Sequence, residues 1–336
     1  MSGQTGSKDE GGQAVTLDRQ HVGLAGGWVI PSVTVVVPTR DRAHLVEDTV
    51  RALLALDYPS FDIVVVDQSA NDATKDGVRA AANGDRRIRV ESTDTVGAAA
   101  ARTLGMRTSR ADIVAYTDDD CIVAAGWLDA IVAEFNDPAV SAVCGRLLPY
   151  DYGKRALTGM EVGFKPTERR TEYARRVPPW YIGHGGNMAF RRADLAAIGG
   201  FDALLGAGAC FGAGEDSDAL YRLLAAGKHV VYSPRALAYH KHWKDWPQQR
   251  KMEHAYGIGV GAQFAKYVRC GDPYGLVLLA TWIWQLGVRR VGAGLLKWRN
   301  PRVVYLGYCQ LVYPWRGIAV SLRHPIDCRG RVYVER

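Results

Sequence analysis

The sequence predicts an α/β protein: a mostly parallel central sheet with helices on both faces. Two observations carry this reading. Short, continuous apolar runs alternate with helical patterns between residues 33 and 117, and polar or acidic residues stand at the end of each run. A strand covered on both faces reads as an unbroken apolar segment, and strands separated by helices pair in parallel.

The elements follow in order. Val33 to Val37 is β-branched and stops at Pro38, Ala43 to Leu56 has helical spacing, and Ile63 to Val66 is a second strand ending in Asp67. A helix over about Asp72 to Asn83, a short strand Ile88 to Glu91, an Ala-rich helix Gly97 to Thr108 and a strand Ile113 to Thr117 complete the alternating half. Val140 to Cys144 is a further strand, residues 150 to 179 a long loop over the site, and Gly183 to Phe190 a glycine-rich approach to a strand. Helices are expected over Arg192 to Ile198 and about Asp216 to Ala226, then a strand His229 to Tyr232 and a loop to His240. Ligands bind beyond the carboxyl ends of the strands in such sheets. Thr39, Arg40, Asp41, Arg42, Asp67, Gln68, Ser69, Asp94 and the triplet Asp118-Asp119-Asp120 should therefore share one crevice.

The triplet is the strongest chemical signal. Three adjacent carboxylates repel one another at neutral pH, whereas Mg²⁺ or Mn²⁺ favours carboxylate oxygen and keeps open positions for phosphate. A strand ending in Asp-x-Asp suits a metal diphosphate; an acidic turn capping the next helix is the alternative. No G-x-G-x-x-G follows the first strand and no G-x-x-x-x-G-K-[ST] occurs, so dinucleotide-binding dehydrogenases and P-loop NTPases lose their phosphate cradle.

At 336 residues, 48% of them hydrophobic, the chain can bury a full core. Residues 1–30 read as a disordered tail without a signal-peptide core, which points to a cytoplasmic protein. Six scattered cysteines with no C-x-x-C pair point to reduced, mostly buried thiols. The net charge of +7 is unevenly placed: residues 241–336 carry 16 Lys and Arg against 5 Asp and Glu, or +11. That tail also holds the charge-free aromatic stretches 273–288 and 303–315, each short of the roughly 20 residues of a membrane span. Helices on the inner, anionic face of the plasma membrane are one reading; packing on the globular domain or at a homodimer contact is the other. No nucleic-acid motif accompanies the charge.

The ordered set VVVPTRDR (35–42), VVVDQS (64–69), TDDD (117–120), GGN (185–187), GFD (200–202), GEDSD (214–218) and AYHKH (238–242) resembles family 2 glycosyltransferases of the GT-A fold. The resemblance covers residues 31–245 and leaves 246–336 as a basic, aromatic-rich helical extension. It implies metal-dependent transfer of a sugar from a nucleotide-diphosphate donor to a hydroxyl acceptor, with inversion. UDP is the favoured nucleotide, with dTDP or GDP as alternatives; the acceptor is a lipid-linked sugar, a polysaccharide precursor or a secondary metabolite. By the same resemblance Pro38, Thr39, Arg40, Arg42, Asp67, Gly97, Arg102, Asp118 and Asp119 face the donor. Asp120, Asp118 and His240 hold the metal, with His242 the rival ligand. Asp216 is the candidate base, with Glu215 orienting the acceptor, roles that are exchangeable, and Asp218 points elsewhere on its helix. Trp180, Gly186, Asn187 and Glu215 form the acceptor side, with core packing the alternative for Trp180. The Q-x-x-R-W motif of processive members is absent, so one sugar is added per acceptor. A non-catalytic sugar-nucleotide-binding protein and a sugar-phosphate nucleotidyltransferase are the competing functions; the latter's Gly-rich, basic first loop is missing.

Overall fold

Nine strands form one sheet in the computed structural model, which describes residues 30–150, 164–241 and 245–334. The tail expected over 1–30, most of the first half of the loop after Tyr150, and His242 lie outside the described residues.

The elements in chain order are β1 (Val33–Thr39), α1 (Ala43–Leu54), β2 (Phe61–Asp67), α2 (Ala73–Ala82), β3 (Ile88–Ser92), α3 (Ala98–Thr108), β4 (Ile113–Thr117), β5 (Cys121–Val123), α4 (Trp127–Glu134) and β6 (Val140–Pro149). There follow β7 (Thr171–Tyr173), a 3₁₀ turn Pro179–Tyr181, β8 (Asn187–Arg191), α5 (Arg192–Ala197), α6 (Glu215–Ala225) and β9 (His229–His240). The last part comprises α7 (Trp246–Arg269), α8 (Tyr274–Trp282), a π-helical turn Ile283–Val288, α9 (Arg289–Leu296), α10 (Pro301–Ser321) and the hairpin β10 (Ile326–Asp327) with β11 (Val332–Tyr333).

The strand order is β3-β2-β1-β4-β8-β6-β9-β5, with β7 on β9. Pairing from β3 to β4 is parallel, as the alternating pattern predicts. Beyond β4 the sheet is mixed: β8 runs antiparallel to both neighbours, because the chain returns through loops rather than through a crossover helix. Alternate residues of β1 and β2 enter two cores. Val35 and Val37 join Val46, Val50 and Leu53 of α1 on one face, and Val36 joins Ala99, Ala101 and Met106 of α3 on the other.

Two local differences matter for the site. β9 is longer than the sequence pattern suggests and ends at His240; its offset against β6 near Gly145 accompanies a 12-residue strand that pairs with β6, β7 and β5. The segment 164–179 is not wholly loop, since β7 pairs with β9.

The described residues from Pro31 onward form one compact unit. Helix α7 starts with a capping box, Gln248 N–H to Asp245 and Asp245 N–H to the Gln248 side chain, each 2.9 Å. Where it crosses α10, a Cβ on Gly261 would stand 1.9 Å from the Pro314 carbonyl oxygen, so only glycine permits this backbone contact. Lys266, fully buried, sits 2.5 Å from Asp202 and 2.8 Å from Asp218. The Tyr267 hydroxyl and Arg222 also donate to Asp218, at 2.9 and 2.7 Å. Burial alone would raise the Asp218 pKa; the two cations and these hydrogen bonds outweigh it and hold the carboxyl below its usual range. The expectation of six reduced thiols is overturned for two of them, because Cys270 after α7 and Cys328 in the hairpin form a disulfide. Cys121, Cys144 and Cys309 are buried thiols and Cys210 is exposed. No helix among the described residues is long and apolar enough to cross a membrane.

Candidate active site

Register sets the site. Thr39 pairs with Asp67, Thr117 with Asn187 and Cys121 with His240, so the ends of β1, β2 and β4, the start of β8 and the end of β9 share one edge of the sheet. Two glycines then bring the acidic residues together. A Cβ on Gly185 would stand 2.8 Å from Arg102 Nη2 and 3.3 Å from Asp216 Oδ2, and one on Gly186 would stand 3.0 Å from Asp118 Oδ2. Asp118 at the end of β4 and Asp216 at the start of α6 thus flank the same two residues.

Asp216 is partly exposed. Its Oδ2 accepts from the Gly185 N–H at 2.8 Å and its Oδ1 from the Ser217 N–H at 2.7 Å, inside the first turn of α6, where the helix dipole favours a negative charge. Gly214 caps that helix at φ 100°, a left-handed conformation that glycine adopts without strain. Glu215 is different. It is buried, its carboxylate is bound by Arg102, and burial against this partner raises its pKa. The expectation that Glu215 meets the acceptor is corrected on that ground: the carboxylate is spent inside the protein.

Arg102 is 3% exposed and bridges Glu215 to Asp118, donating to Asp118 Oδ1 at 2.8 Å, and its Nε is buried without a hydrogen-bond partner. Sequence places it against phosphate; the structure uses it to tie β4, α3 and α6 together. Asp119 is likewise buried, accepting from Thr39 Oγ1 at 2.7 Å and Arg42 at 3.0 Å. Burial pushes its carboxyl up to about 6 despite Arg42. Asp119 anchors the loop after β1. Asn187, expected on the acceptor side, is fully buried: it accepts from Trp127 and donates to the Arg146 and Ala236 carbonyls, at 2.8–2.9 Å, which leaves no free group for a ligand.

Asp120 and His240 meet at 3.3 Å (Oδ1 to Nε2), and the Cys121 sulfur completes a group whose ligand atoms lie within 4.8 Å of one another. Burial drives the Cys121 thiol pKa far upward and keeps it protonated, so the available donors are the carboxylate and the imidazole. Asp118, expected to join this group, lies outside it and is held by Arg102. Asp67 is buried at the end of β2 with one oxygen on the Ser69 N–H. Gln68 donates to the Gly97 carbonyl at 3.0 Å and so fixes the entry to α3. Arg40 is exposed and paired with Asp41. Pro38 is half-buried between Val37 and Thr39. Trp180 packs edge-on against Trp282 of α8 at 5.0 Å and belongs to the α7–α8 core, the packing alternative.

Two residues were missed. His184 stands among Asp216, Asp118, His240 and Lys165, and burial lowers its pKa against the pull of Asp216. It falls inside the Gly183–Phe190 run, where it was legible as a polar residue beside two close-packed glycines. Lys165 donates to the Tyr181 and Ile182 carbonyls, lies 3.8 Å from the Tyr232 ring centroid, and is lowered to about 8 by burial. Its segment has no periodicity that would have marked it.

Comparison with known proteins agrees with this geometry. The profile described as Glycosyl transferase family 2 matches residues 34–199, from β1 through α5. Over these residues the chain is a glycosyl transferase family 2 domain. Among its relatives, the pre-mycofactocin glycosyltransferase of Mycobacterium tuberculosis is 28% identical over 219 residues, covering 64% of this chain and 44% of that protein. The validoxylamine A glucosyltransferase of Streptomyces hygroscopicus subsp. jinggangensis is 29% identical over 236 residues, covering 61% and 54%. The chain therefore spans about half the length of these relatives. Mannosyltransferase PcManGT from Pyrobaculum calidifontis, solved with GDP-Man and Mn²⁺, has a TM-score of 0.60 at 23% identity, covering 86% of this chain and 88% of that one. GalNAc-T7, solved with UDP, GalNAc and Mn²⁺, has a TM-score of 0.51 at 15% identity, covering 70% and 50%. The fold is GT-A. The 86% coverage exceeds what residues 1–245 could supply, so the likeness reaches into the C-terminal helices.

Proposed function

We propose that this chain transfers one sugar at a time, with inversion, from a nucleotide-diphosphate donor to a hydroxyl acceptor. The observation that carries the reading is the meeting of Asp118 and Asp216 on either side of Gly185–Gly186 at one edge of the sheet. Inversion by direct displacement needs no enzyme nucleophile; it needs a base for the acceptor hydroxyl and help for the departing diphosphate.

Asp216 takes the acceptor proton. Its two backbone N–H partners fix the carboxylate in one orientation at the start of α6. Glu215 acts through Arg102 and is a positioning residue. Gly97, Asp67 and the Pro38–Arg42 loop receive the nucleotide, with UDP favoured because a strand-end carboxylate at Asp67 suits the N–H of uracil. The exposed Arg40 and the half-exposed Arg42 offer the cations nearest that loop. On the acceptor side Gly186 lets Asp118 approach the backbone closely, and His184 adds a polar group that feels the charge of Asp216.

Asp120 and His240 fit a divalent cation: a carboxylate oxygen and an imidazole nitrogen at 3.3 Å suit Mn²⁺ or Mg²⁺. A metal held there supplies positive charge for the diphosphate leaving group. Both solved neighbours carry Mn²⁺ in their own complexes, which supports this reading. The relatives' names support small-molecule hydroxyl acceptors of the secondary-metabolite type.

The test is nucleoside diphosphate release from UDP-, GDP- and dTDP-sugars by purified protein with Mn²⁺ and hydroxyl acceptors. Turnover that disappears with EDTA is expected. Donor binding without turnover identifies a non-catalytic binding protein, and pyrophosphate release from a nucleoside triphosphate identifies a nucleotidyltransferase; either result overturns the proposal.

A further inference from the structure

Between Asp272 and Asp327 the chain has no acidic residue and seven Lys and Arg. Eleven of the seventeen exposed large apolar side chains among the described residues lie in the same stretch, from Leu276 to Leu322. Charge and apolar exposure are thus concentrated on one helical layer.

These side chains are ordered, not scattered. Tyr308, Val312, Trp315 and Leu322 follow one another on α10 at intervals of four, three and seven, and Trp284, Val288 and Leu295 do so along the rod through α9 at four and seven. Each series is a stripe along a helix. Gly287 faces Leu311, Gly307 faces Val291 and Gly294 faces Val304, so the two rods run antiparallel in contact. At about 100° per residue, the exposed stripe follows the contact stripe by about a quarter turn or slightly more, in the same rotational sense on both rods. Antiparallel neighbours with that relation turn both stripes to the same side. The turn joining the rods adds Leu296 and Trp298, 84% and 46% exposed, interleaved with Lys297 and Arg299.

An apolar face this extended needs cover. A second copy of the chain would set cations such as Lys297, Arg299 and Arg316 against their own kind, with no carboxylate in the segment to separate them. Anionic lipid answers both features: phosphates meet the cations, and the acyl boundary receives Leu and Trp. The rods lie on such a surface and do not span it, since no helix among the described residues is long and apolar enough to cross.

We propose that α8, α9 and α10 form a face that docks on anionic membranes, with Lys297, Arg299 and Arg316 on the headgroups and Leu296, Trp298 and Trp315 in the acyl boundary. The face joins the active-site edge through Tyr181, whose hydroxyl donates to Gln285. A lipid-carried acceptor hydroxyl therefore fits the glycosyl-transfer reading, although docking stands without it.

Full-length protein is sedimented with vesicles of phosphatidylcholine alone and of phosphatidylcholine mixed with phosphatidylglycerol, with tryptophan emission recorded. Binding to the mixed vesicles with a blue shift is expected, weakening with salt as charges are screened. The K297Q/R299Q variant should bind about fivefold more weakly per cation removed, and L296S/W298S should lose binding and the blue shift while keeping the melting point. Equal binding to both vesicle types, undiminished binding by either variant, or no vesicle binding with concentration-dependent dimerisation overturns the proposal. Turnover of nucleotide sugar without vesicles is measured in parallel, so a failure of docking is told apart from a failure of the transferase reading.

Discussion

Replacing Asp216 by Asn tests the base assignment, because the structure separates its chemical consequence from its structural one. The aspartate accepts two backbone N–H groups, from Gly185 at 2.8 Å and Ser217 at 2.7 Å. Asparagine has a single acceptor oxygen, so one N–H would face an amide NH₂; a donor left unmet in a partly buried site costs about 1–3 kcal/mol. That lowers the melting point by a few degrees in a domain of this size and leaves the fold intact at room temperature. Loss of a general base lowers kcat by roughly 10²–10⁴-fold, equivalent to about 3–5 kcal/mol on the barrier. The assay is nucleoside diphosphate release under saturating donor, with donor affinity measured separately by thermal shift in Mn²⁺. D216N should lose kcat while its donor affinity stays within about a factor of two, an unmoved binding term being the mark of a group acting in the transition state. A kcat within tenfold of the wild type, or a parallel fall in donor affinity, would remove Asp216 from the role.

The raised Asp119 pKa makes a pH prediction. Its folded value of about 6 lies above the ordinary 3.8, so its contribution to stability is full below pH 3.8 and is lost as pH rises through about 6; relative to D119N, the wild type should lose about 3 kcal/mol across that window, read by urea unfolding, and a flat difference would refute the burial argument. Lys266→Met leaves Asp202 and Asp218 buried without their shared cation and should cost about 3–5 kcal/mol, seen as a lower urea midpoint; an unchanged midpoint would mean that Arg222 and Tyr267 suffice for Asp218. Cys328→Ser opens a loop of 58 residues and should cost about 4 kcal/mol by chain entropy; a melting point equal to that of the oxidised wild type would show that Tyr333, buried against Phe211, holds the hairpin unaided.

Much of the half from β1 to β4 was legible because β1, β2 and β4 are covered on both sides, and the amino-acid types record that directly. Val35 and Val37 face one core, Val36 the other, and the run is apolar throughout. The polar residues at the strand ends had no place in either core, so their convergence followed from topology alone. The second half was harder to read for a physical reason. Its antiparallel strands and the β6–β9 offset are set by tertiary pairing, and no local pattern announces that β9 continues past Tyr232 to bring His240 beside Cys121.

Residue type proved a good guide to place and a weaker guide to task. Asp118, Asp119 and Asp120 are consecutive, yet the strand end sends them three ways: to Arg102, to Thr39 and Arg42, and to His240. Glu215 and Asp216 divide similarly, one buried on Arg102 and the other facing the crevice. In each set an arginine from another element takes particular carboxylates: Arg102 from α3 binds Asp118 and Glu215, and Arg42 from the loop after β1 binds Asp119. That information is long-range. A motif of acidic residues therefore locates such a site, while the arginines around it determine which carboxylates are tied to the protein's own cations.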